Sequence, residues 1–308
     1  MKVAVVEAGS AGRSWALVFA RGGCEVTLQD PSRDVLDAAV SYIGNRAKEL
    51  QAAGLLPGQT PEQVSARLHT TQSIEEAVRD AAWVQEGGAE TLADKQRLFA
   101  AIDPLAPQGV ILASSTAGLP PSSFTENVKG RSRCLVAHCV NPPELLPFVE
   151  ICPAPWTESR YLGEARAFMA KIGMVPAVMT REMPGFLMNR LQTAVIAEAF
   201  RLVEDGIASV EDVDAAMKHA LGLRWAFMGP LETIDLNAPK GLSDWCERFG
   251  GMAADVMREQ APRDWSPELI AKAHAERREI LPLAEQPARQ TWRDQTLMSL
   301  IAHLRREV

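Results

Sequence analysis

Lys2-Val3-Ala4-Val5-Val6-Glu7-Ala8-Gly9-Ser10-Ala11-Gly12, running on to Arg21 and then to Glu25-Val26-Thr27-Leu28-Gln29-Asp30, decides the fold. Val3–Val6 is a short apolar run of buried-strand type, and the spacing from Arg13 to Arg21 is helical. Glu25–Asp30 reads as a second strand. A strand, a glycine-bearing turn, a helix and a strand within about 30 residues form a βαβ nucleus. Gly9-Ser10-Ala11-Gly12 fills the later part of a G-x-G-x-x-G pattern. There the second glycine lets backbone approach a pyrophosphate, the third lets helix pack on strand, and the helix N-terminus offers amide donors. Glu7 stands at the first position, where the pattern asks for glycine. An isolated Gly-x-x-Gly is most often only a turn. What makes this one specific is Asp30, 18 residues after Gly12 at the end of the next strand, where an acid accepts from ribose hydroxyls. An acid there repels an added phosphate, so NAD is expected in preference to NADP.

Outward from this nucleus, Pro31-Ser32 opens a long polar helical segment, roughly 34 to 53, closed by Gly54-Leu55-Leu56-Pro57-Gly58. Further strand candidates are 68–71, 83–86, 110–113, 134–137 and 148–151, with helical segments between several of them. This alternation predicts a mostly parallel, doubly wound sheet covered on both faces. After Pro184 strand-like runs stop, and 187–205, 209–221, 241–260, 266–278 and 288–306 all carry helical spacing. The expected class is α/β: a Rossmann-type doubly wound domain over 1–183, then an all-helical domain over 184–308.

With 308 residues the chain is long enough for about two domains. Its 47% hydrophobic and 23% charged content is ordinary for a soluble globular enzyme. A net charge of −7 without a basic face argues against a nucleic-acid partner. The five cysteines, 24, 134, 139, 152 and 246, are odd in number and have no metal-ligand spacing, so no metal is expected and they read as reduced thiols. No stretch approaches the ~18 apolar residues of a membrane span, and the first strand starts at once, leaving no room for a leader. A cytoplasmic location with no membrane partner is the expectation.

The chemistry is concentrated in Ala137-His138-Cys139-Val140-Asn141-Pro142-Pro143, in Glu150 twelve positions after the histidine, and in Pro184-Gly185-Phe186-Leu187-Met188-Asn189-Arg190-Leu191. A histidine that takes a proton needs a partner to fix its tautomer, and a carboxylate on its other ring nitrogen does this. Alone, such a pair is more often a core histidine plus a surface acid. The nucleotide-binding pattern before it and the Pro-Gly-Phe string after it raise its weight. His69, His219, His274 and His303 sit in helical or loop contexts without a carboxylate pattern and read as structural or surface residues.

Together these motifs resemble the L-3-hydroxyacyl-CoA dehydrogenase superfamily. Gly222-Leu223-Arg224-Trp225-Ala226-Phe227-Met228-Gly229-Pro230-Leu231-Glu232-Thr233 and Trp292-Arg293-Asp294 resemble its lambda-crystallin / L-gulonate 3-dehydrogenase branch, close to L-carnitine dehydrogenase. The likeness covers nearly the whole chain. It implies His138 as general base in alcohol oxidation, Glu150 as its orienting acid, and Asn189 as the amide that holds the substrate or stabilises the polarised oxygen. It implies that Glu90 and Lys95 contact the cofactor and that Ser115 lies near the nicotinamide ribose. Ser114-Ser115-Thr116-Ala117 matches the segment whose serine bonds the reacting oxygen, and the matched position is Ala117. Ser115, Thr116 and Ala117 are thus read as substrate-binding, with Ser115 or Thr116 as substitute donors. Cys139 replaces the family's proline.

Arg224 bears on the substrate, because a guanidinium binds a free carboxylate through two parallel hydrogen bonds. With Trp225 and Phe227 beside it, a small hydroxy-acid pocket is expected; a plain helix-end cation is the alternative. The expected reaction is NAD-dependent oxidation of the L-3-hydroxyl of a small free, L-gulonate-like acid. L-carnitine, 3-hydroxybutyrate or a 3-hydroxyacyl-CoA are alternative substrates. An altered carbonyl or imine substrate, or a catalytically weak crystallin-like NADH-binding protein, are further readings that Glu7 and Ala117 favour. The apolar faces of 187–205 and 241–306, and the family's habit, imply a homodimer.

Overall fold

The computed structural model describes residues 1–307, with side chains to 305. Eight strands form one sheet: β1 Lys2–Val6, β2 Glu25–Gln29, β3 Leu68–Thr71, β4 Trp83–Glu86, β5 Ile111–Ser114, β6 Cys134–Cys139, β7 Phe148–Pro153 and β8 Val175–Val178. Their spatial order is β3-β2-β1-β4-β5-β6-β7-β8. Every neighbouring pair is parallel except β6 with β7, which run antiparallel. The order reverses between β1 and β4, and in such sheets ligands settle in the crevice beyond the carboxyl ends at that reversal.

Both faces of the sheet are covered, and the central strands β1, β4, β5, β6 and β7 are buried along nearly all their length. On one face helix Ser10–Arg21 buries Trp15 and Phe19, and Trp15, Phe19, Phe168 and Trp83 form a chain of ring contacts with centroids 5.0–5.8 Å apart. On the other, Phe99 of helix Leu92–Ile102 meets Phe124 at 5.0 Å. Helix Arg33–Ala52 starts at Ser32, whose hydroxyl accepts from the Val35 amide, and turns Leu36, Ala39, Ile43, Ala47 and Leu50 inward. Those positions follow the three- and four-residue spacing of one helix face.

The chain divides into two compact units, Met1–Arg190 with Asp294–Val308, and Leu191–Arg293. The last stretch thus belongs to the first unit. The cause is apolar. Met298 is buried in the first unit's core, and Leu297, Ile301 and Ala302 pack against the same cluster. A polar clasp accompanies it: Arg46, itself buried, donates to Glu144 at 2.7 Å, Asp294 at 2.6 Å and Glu49 at 2.8 Å.

The second unit is helical, with Val210–Ala216, Met217–Leu221, Gly222–Trp225, Pro230–Leu236, Leu242–Glu259 and Pro267–Ile280 as its main segments. Met217–Leu221 has π-type hydrogen bonding, so the single helix expected over 209–221 changes its winding before Gly222. Among the described residues no helix is long and apolar enough to cross a membrane.

Candidate active site

His138 and Glu150, twelve apart in sequence, are direct cross-strand partners in the β6–β7 antiparallel pair. Side chains at opposed positions leave the same face of such a pair about 5 Å apart. The contact is His138 Nδ1 to Glu150 Oε1 at 2.7 Å, with His138 nearly buried and Glu150 wholly so. A carboxylate only accepts, so Nδ1 carries a proton, and in the neutral ring Nε2 is then the nitrogen that holds the lone pair. The other oxygen, Oε2, accepts the amides of Leu187 at 2.6 Å and Met188 at 2.7 Å. These amides open helix Met188–Glu204, where orphan donors and the helix dipole favour an anion. Gly185, at φ 73°, makes the turn that brings them there, and Phe186, fully buried, lays its ring 5.9 Å from the imidazole.

Asn189 follows at once, and its Nδ2 donates to the Ala117 carbonyl at 2.7 Å. The crest after β5 is otherwise held by Glu90. Its Oε1 accepts from the Thr116 hydroxyl at 2.5 Å and from the Ala117 and Gly118 amides at 3.0 and 3.2 Å. Thr116 is therefore no spare donor: its proton is given to Glu90, while its oxygen receives the Leu119 amide. Ser115 accepts from Gln85 Nε2 at 2.8 Å. Ala117 is exposed and brings no hydroxyl. His138, Glu150, Asn189, Ser115, Thr116, Ala117 and Glu90 thus lie in one hydrogen-bonded web within the first unit.

Lys95 is placed differently from its sequence reading. It is 1% exposed, and its ammonium bonds Glu86 Oε1 at 2.9 Å and the Gly88 carbonyl at 3.0 Å, with Glu90 at 3.9 Å. Glu86 is equally buried and takes the Ser114 hydroxyl on its other oxygen at 2.7 Å. Neither Glu86 nor Gln85 figured among the sequence candidates. The available signal was two polar residues inside a strand of a sheet covered on both faces, where each must find an internal partner.

The cofactor end is built around the start of helix Ser10–Arg21. Its N-cap, Gly9, offers no side-chain cap, and open space surrounds the place of its missing Cβ. The first-turn amides therefore face a gap that a pyrophosphate suits. Gly12 is obligatory, since a Cβ there would come within 1.9 Å of the Glu7 carbonyl oxygen. Asp30 is buried and accepts the Ala8 amide at 3.0 Å and the Ser32 amide at 2.9 Å, tying the glycine turn to the end of β2. Gly9, Ser10, Ala11, Gly12 and Asp30 fit a dinucleotide on these grounds.

Glu7 is the misfit. Its φ is 72°, the left-handed region natural to glycine. Burial, then the Asp30 charge, push its carboxyl above the usual range, with Arg97 4.0 Å away opposing them. Glu7→Gly should raise folding stability by about 0.5–1 kcal/mol, the left-handed strain relieved less the entropy of a freer unfolded chain. It should also tighten NADH binding in a fluorescence titration. An acid whose folded pKa is raised costs stability once pH climbs past its unfolded value. Glu7→Gln should therefore stabilise at neutral pH and lose that advantage in acid; urea melts at both pH values decide it.

The remaining placements are plain. Cys139 has its thiol pushed up to about 12 by burial, so beside His138 it is a neutral packing group. His69 lies on β3, not in a helix or loop, and its exposed ring sits 3.4 Å from Glu25 of β2. Arg224 and Trp225 belong to the second unit, on the short helix Gly222–Trp225, both exposed, and Arg224 has no ion pair among the described residues.

Residues 2–183 match the 3-hydroxyacyl-CoA dehydrogenase NAD binding domain, and residues 185–280 match the C-terminal domain of the same family. The human lambda-crystallin homolog is 39% identical over 97% of this chain and 94% of its own. The L-carnitine dehydrogenase of Oceanobacillus iheyensis is 36% identical over 81% of this chain and 80% of its own. Among solved structures, that of an NAD+-dependent dismutase, 5-formyl-3-hydroxy-2-methylpyridine 4-carboxylic acid 5-dehydrogenase, superposes with a TM-score of 0.84 at 25% identity, covering 97% of this chain and 96% of its own. Sheet order, uncapped glycine turn and these likenesses agree: the chain belongs to the 3-hydroxyacyl-CoA dehydrogenase family, with NAD as its cofactor.

Proposed function

We propose that this protein oxidises the L-3-hydroxyl of a small free hydroxy acid of L-gulonate type to the 3-keto acid. The observation that carries the reading is the His138–Glu150 pair, with Glu150 buried and accepting three donors. Bound NAD supplies the hydride acceptor. Glu150 holds the proton on His138 Nδ1, so Nε2 faces the substrate as a base and takes the hydroxyl proton. As the imidazolium forms, the same carboxylate stabilises it. Asn189, fixed through the Ala117 carbonyl, keeps an amide oxygen and one N–H for the substrate.

The free-acid preference rests on Arg224, which is exposed and has Trp225 and Phe227 beside it in sequence. A substrate panel of L-gulonate, L-carnitine, 3-hydroxybutyrate and 3-hydroxybutyryl-CoA, followed at 340 nm, separates free acid, quaternary amine and thioester. Turnover confined to the thioester rejects the free-acid reading. Within that panel, Arg224→Met should raise KM for the preferred acid far more than for its methyl ester. Equal loss on both would assign Arg224 a structural role.

A homodimer is part of the same proposal. In the second unit Leu223, Phe227, Leu231, Leu236, Met252 and Met257 are each about two-thirds exposed, at 58–68%. Such a density of large apolar side chains in contact with water favours burial against a second copy. Light scattering should give twice 33.5 kDa at micromolar concentration; a monomer rejects this part.

A further inference from the structure

Three consecutive hydroxyls, Ser114, Ser115 and Thr116, stand at the crest of β5. Two are spent inside the protein. Ser114 is fully buried and donates to Glu86 Oε2 at 2.7 Å, and Thr116, also fully buried, donates to Glu90 Oε1 at 2.5 Å. Ser115 is only half-buried, and its oxygen is an acceptor, taking Gln85 Nε2 at 2.8 Å.

The direction of that last bond is fixed by chemistry. The Trp83 indole N–H can only donate, and it reaches Gln85 Oε1 at 3.1 Å. This sets the amide's orientation, leaving Nε2 toward Ser115. The two Nε2 protons go to Ser115 Oγ and, at 3.3 Å, to the carbonyl of Ala137. Gln85 is wholly buried and all its amide groups are used. Ser115 therefore cannot donate back to it, and its single proton is left for another acceptor. Among the described residues nothing accepts that proton. Since Ala137 precedes His138, one amide fixes both the Ser115 hydroxyl and the strand that presents the imidazole.

We propose that Ser115 donates a hydrogen bond to the reacting oxygen of the substrate, with Gln85 as the residue that positions it, in place of the donor absent at Ala117. The inference rests on the dehydrogenase reading above. In the oxidation the C3 hydrogen leaves with its electron pair for NAD, and the hydroxyl proton passes to His138 Nε2. The C–O bond becomes C=O. Negative charge grows on the oxygen as the proton departs, and the Ser115 hydrogen bond meets it there without breaking any bond of its own. A donor aimed at developing charge is worth more in the transition state than in the ground state.

The test is a set of variants assayed on the best substrate of the panel, with NADH binding measured by fluorescence. Ser115→Ala should lower kcat by roughly 10²–10³-fold, the usual loss of one such donor, and leave the NADH dissociation constant unchanged. Ala117→Ser should restore much of the rate lost in Ser115→Ala, because it returns a donor to the position that lacks one. Gln85→Met should lower kcat when Ser115 is present and add nothing in Ser115→Ala, as expected of a residue acting through the other. As a reading independent of turnover, Ser115→Ala should weaken acetoacetate binding to the enzyme–NAD+ complex.

An active unaltered protein with an equally active Ser115→Ala overturns this inference alone. So does a Ser115→Ala protein with weaker NADH binding but normal kcat at saturation, which makes Ser115 a cofactor anchor. Failure of the unaltered protein both to turn over any panel substrate and to bind acetoacetate overturns the dehydrogenase reading, and this inference with it.

Discussion

His138→Asn should lower kcat by roughly 10²–10⁴-fold on whichever hydroxy acid the protein oxidises best, the usual contribution of general acid–base catalysis. Asparagine suits the test because its amide N–H can still reach Glu150, so the buried carboxylate keeps a partner on Oε1 while the amides of Leu187 and Met188 stay on Oε2. The polar link between β6 and β7 survives and only the base is removed. NADH affinity should hold, since the glycine turn and Asp30 belong to strands on the far side of β4 and β5 from the histidine. A near-normal kcat in His138→Asn would falsify the proposed base. A drop in kcat together with weaker NADH binding and a lower melting temperature would instead mean that the histidine serves packing against Phe186.

Much of this arrangement is legible in the chain, and the parts that are not share a physical cause. The βαβ start reads directly, because helix and strand differ in apolar period and Gly12 is sterically required. The His138–Glu150 pair is weak as spacing alone and gains its weight from the nucleotide-binding start and the Pro184-Gly185-Phe186 string; the antiparallel register that seats the two residues opposite each other appears only in the fold. β8 is missed for a local reason: Val175-Pro176-Ala177-Val178 carries a proline, which argues against a strand unless the strand lies at the sheet's edge, as this one does.

Partner choice among buried polar groups is the harder problem. Glu90 and Lys95 are expected from the resemblance as cofactor contacts, yet the shortest ion pair of Lys95 is with Glu86, nine positions away on β4. Arg46 lies in a helix that looks polar on composition, and only the return of the last helix shows why it is buried among Glu144, Glu49 and Asp294. Such contacts depend on which elements become neighbours, which periodicity does not encode. Glu7 is a different case. The pattern predicts a glycine there, and the observed φ of 72° shows that the backbone takes the glycine conformation although the residue is glutamate.

Glu150→Gln should be the more damaging of the two site variants, although it alters no volume. Glu150 accepts from three donors, the His138 Nδ1 proton on one oxygen and two main-chain amides on the other, in a place wholly closed to water. A glutamine has one oxygen and an NH2 group. If the oxygen faces Leu187 and Met188, the NH2 confronts Nδ1 and forces the imidazole into the tautomer with its proton on Nε2, which cannot accept the substrate's proton. With the oxygen toward His138 instead, the NH2 confronts two amide N–H groups at the start of helix Met188–Glu204, and Asn189 loses its anchored position. Either orientation leaves buried donors unpaired at a cost of about 1–3 kcal/mol. The expected result is a kcat at least as low as that of His138→Asn, with a lower melting temperature that His138→Asn does not show. Glu150→Asp keeps the charge but shortens the reach, and should retain one of the two links rather than both. If Glu150→Gln melts and turns over like the unaltered protein, the three-donor carboxylate neither orients the base nor seats the helix, and the proposed mechanism has no second member.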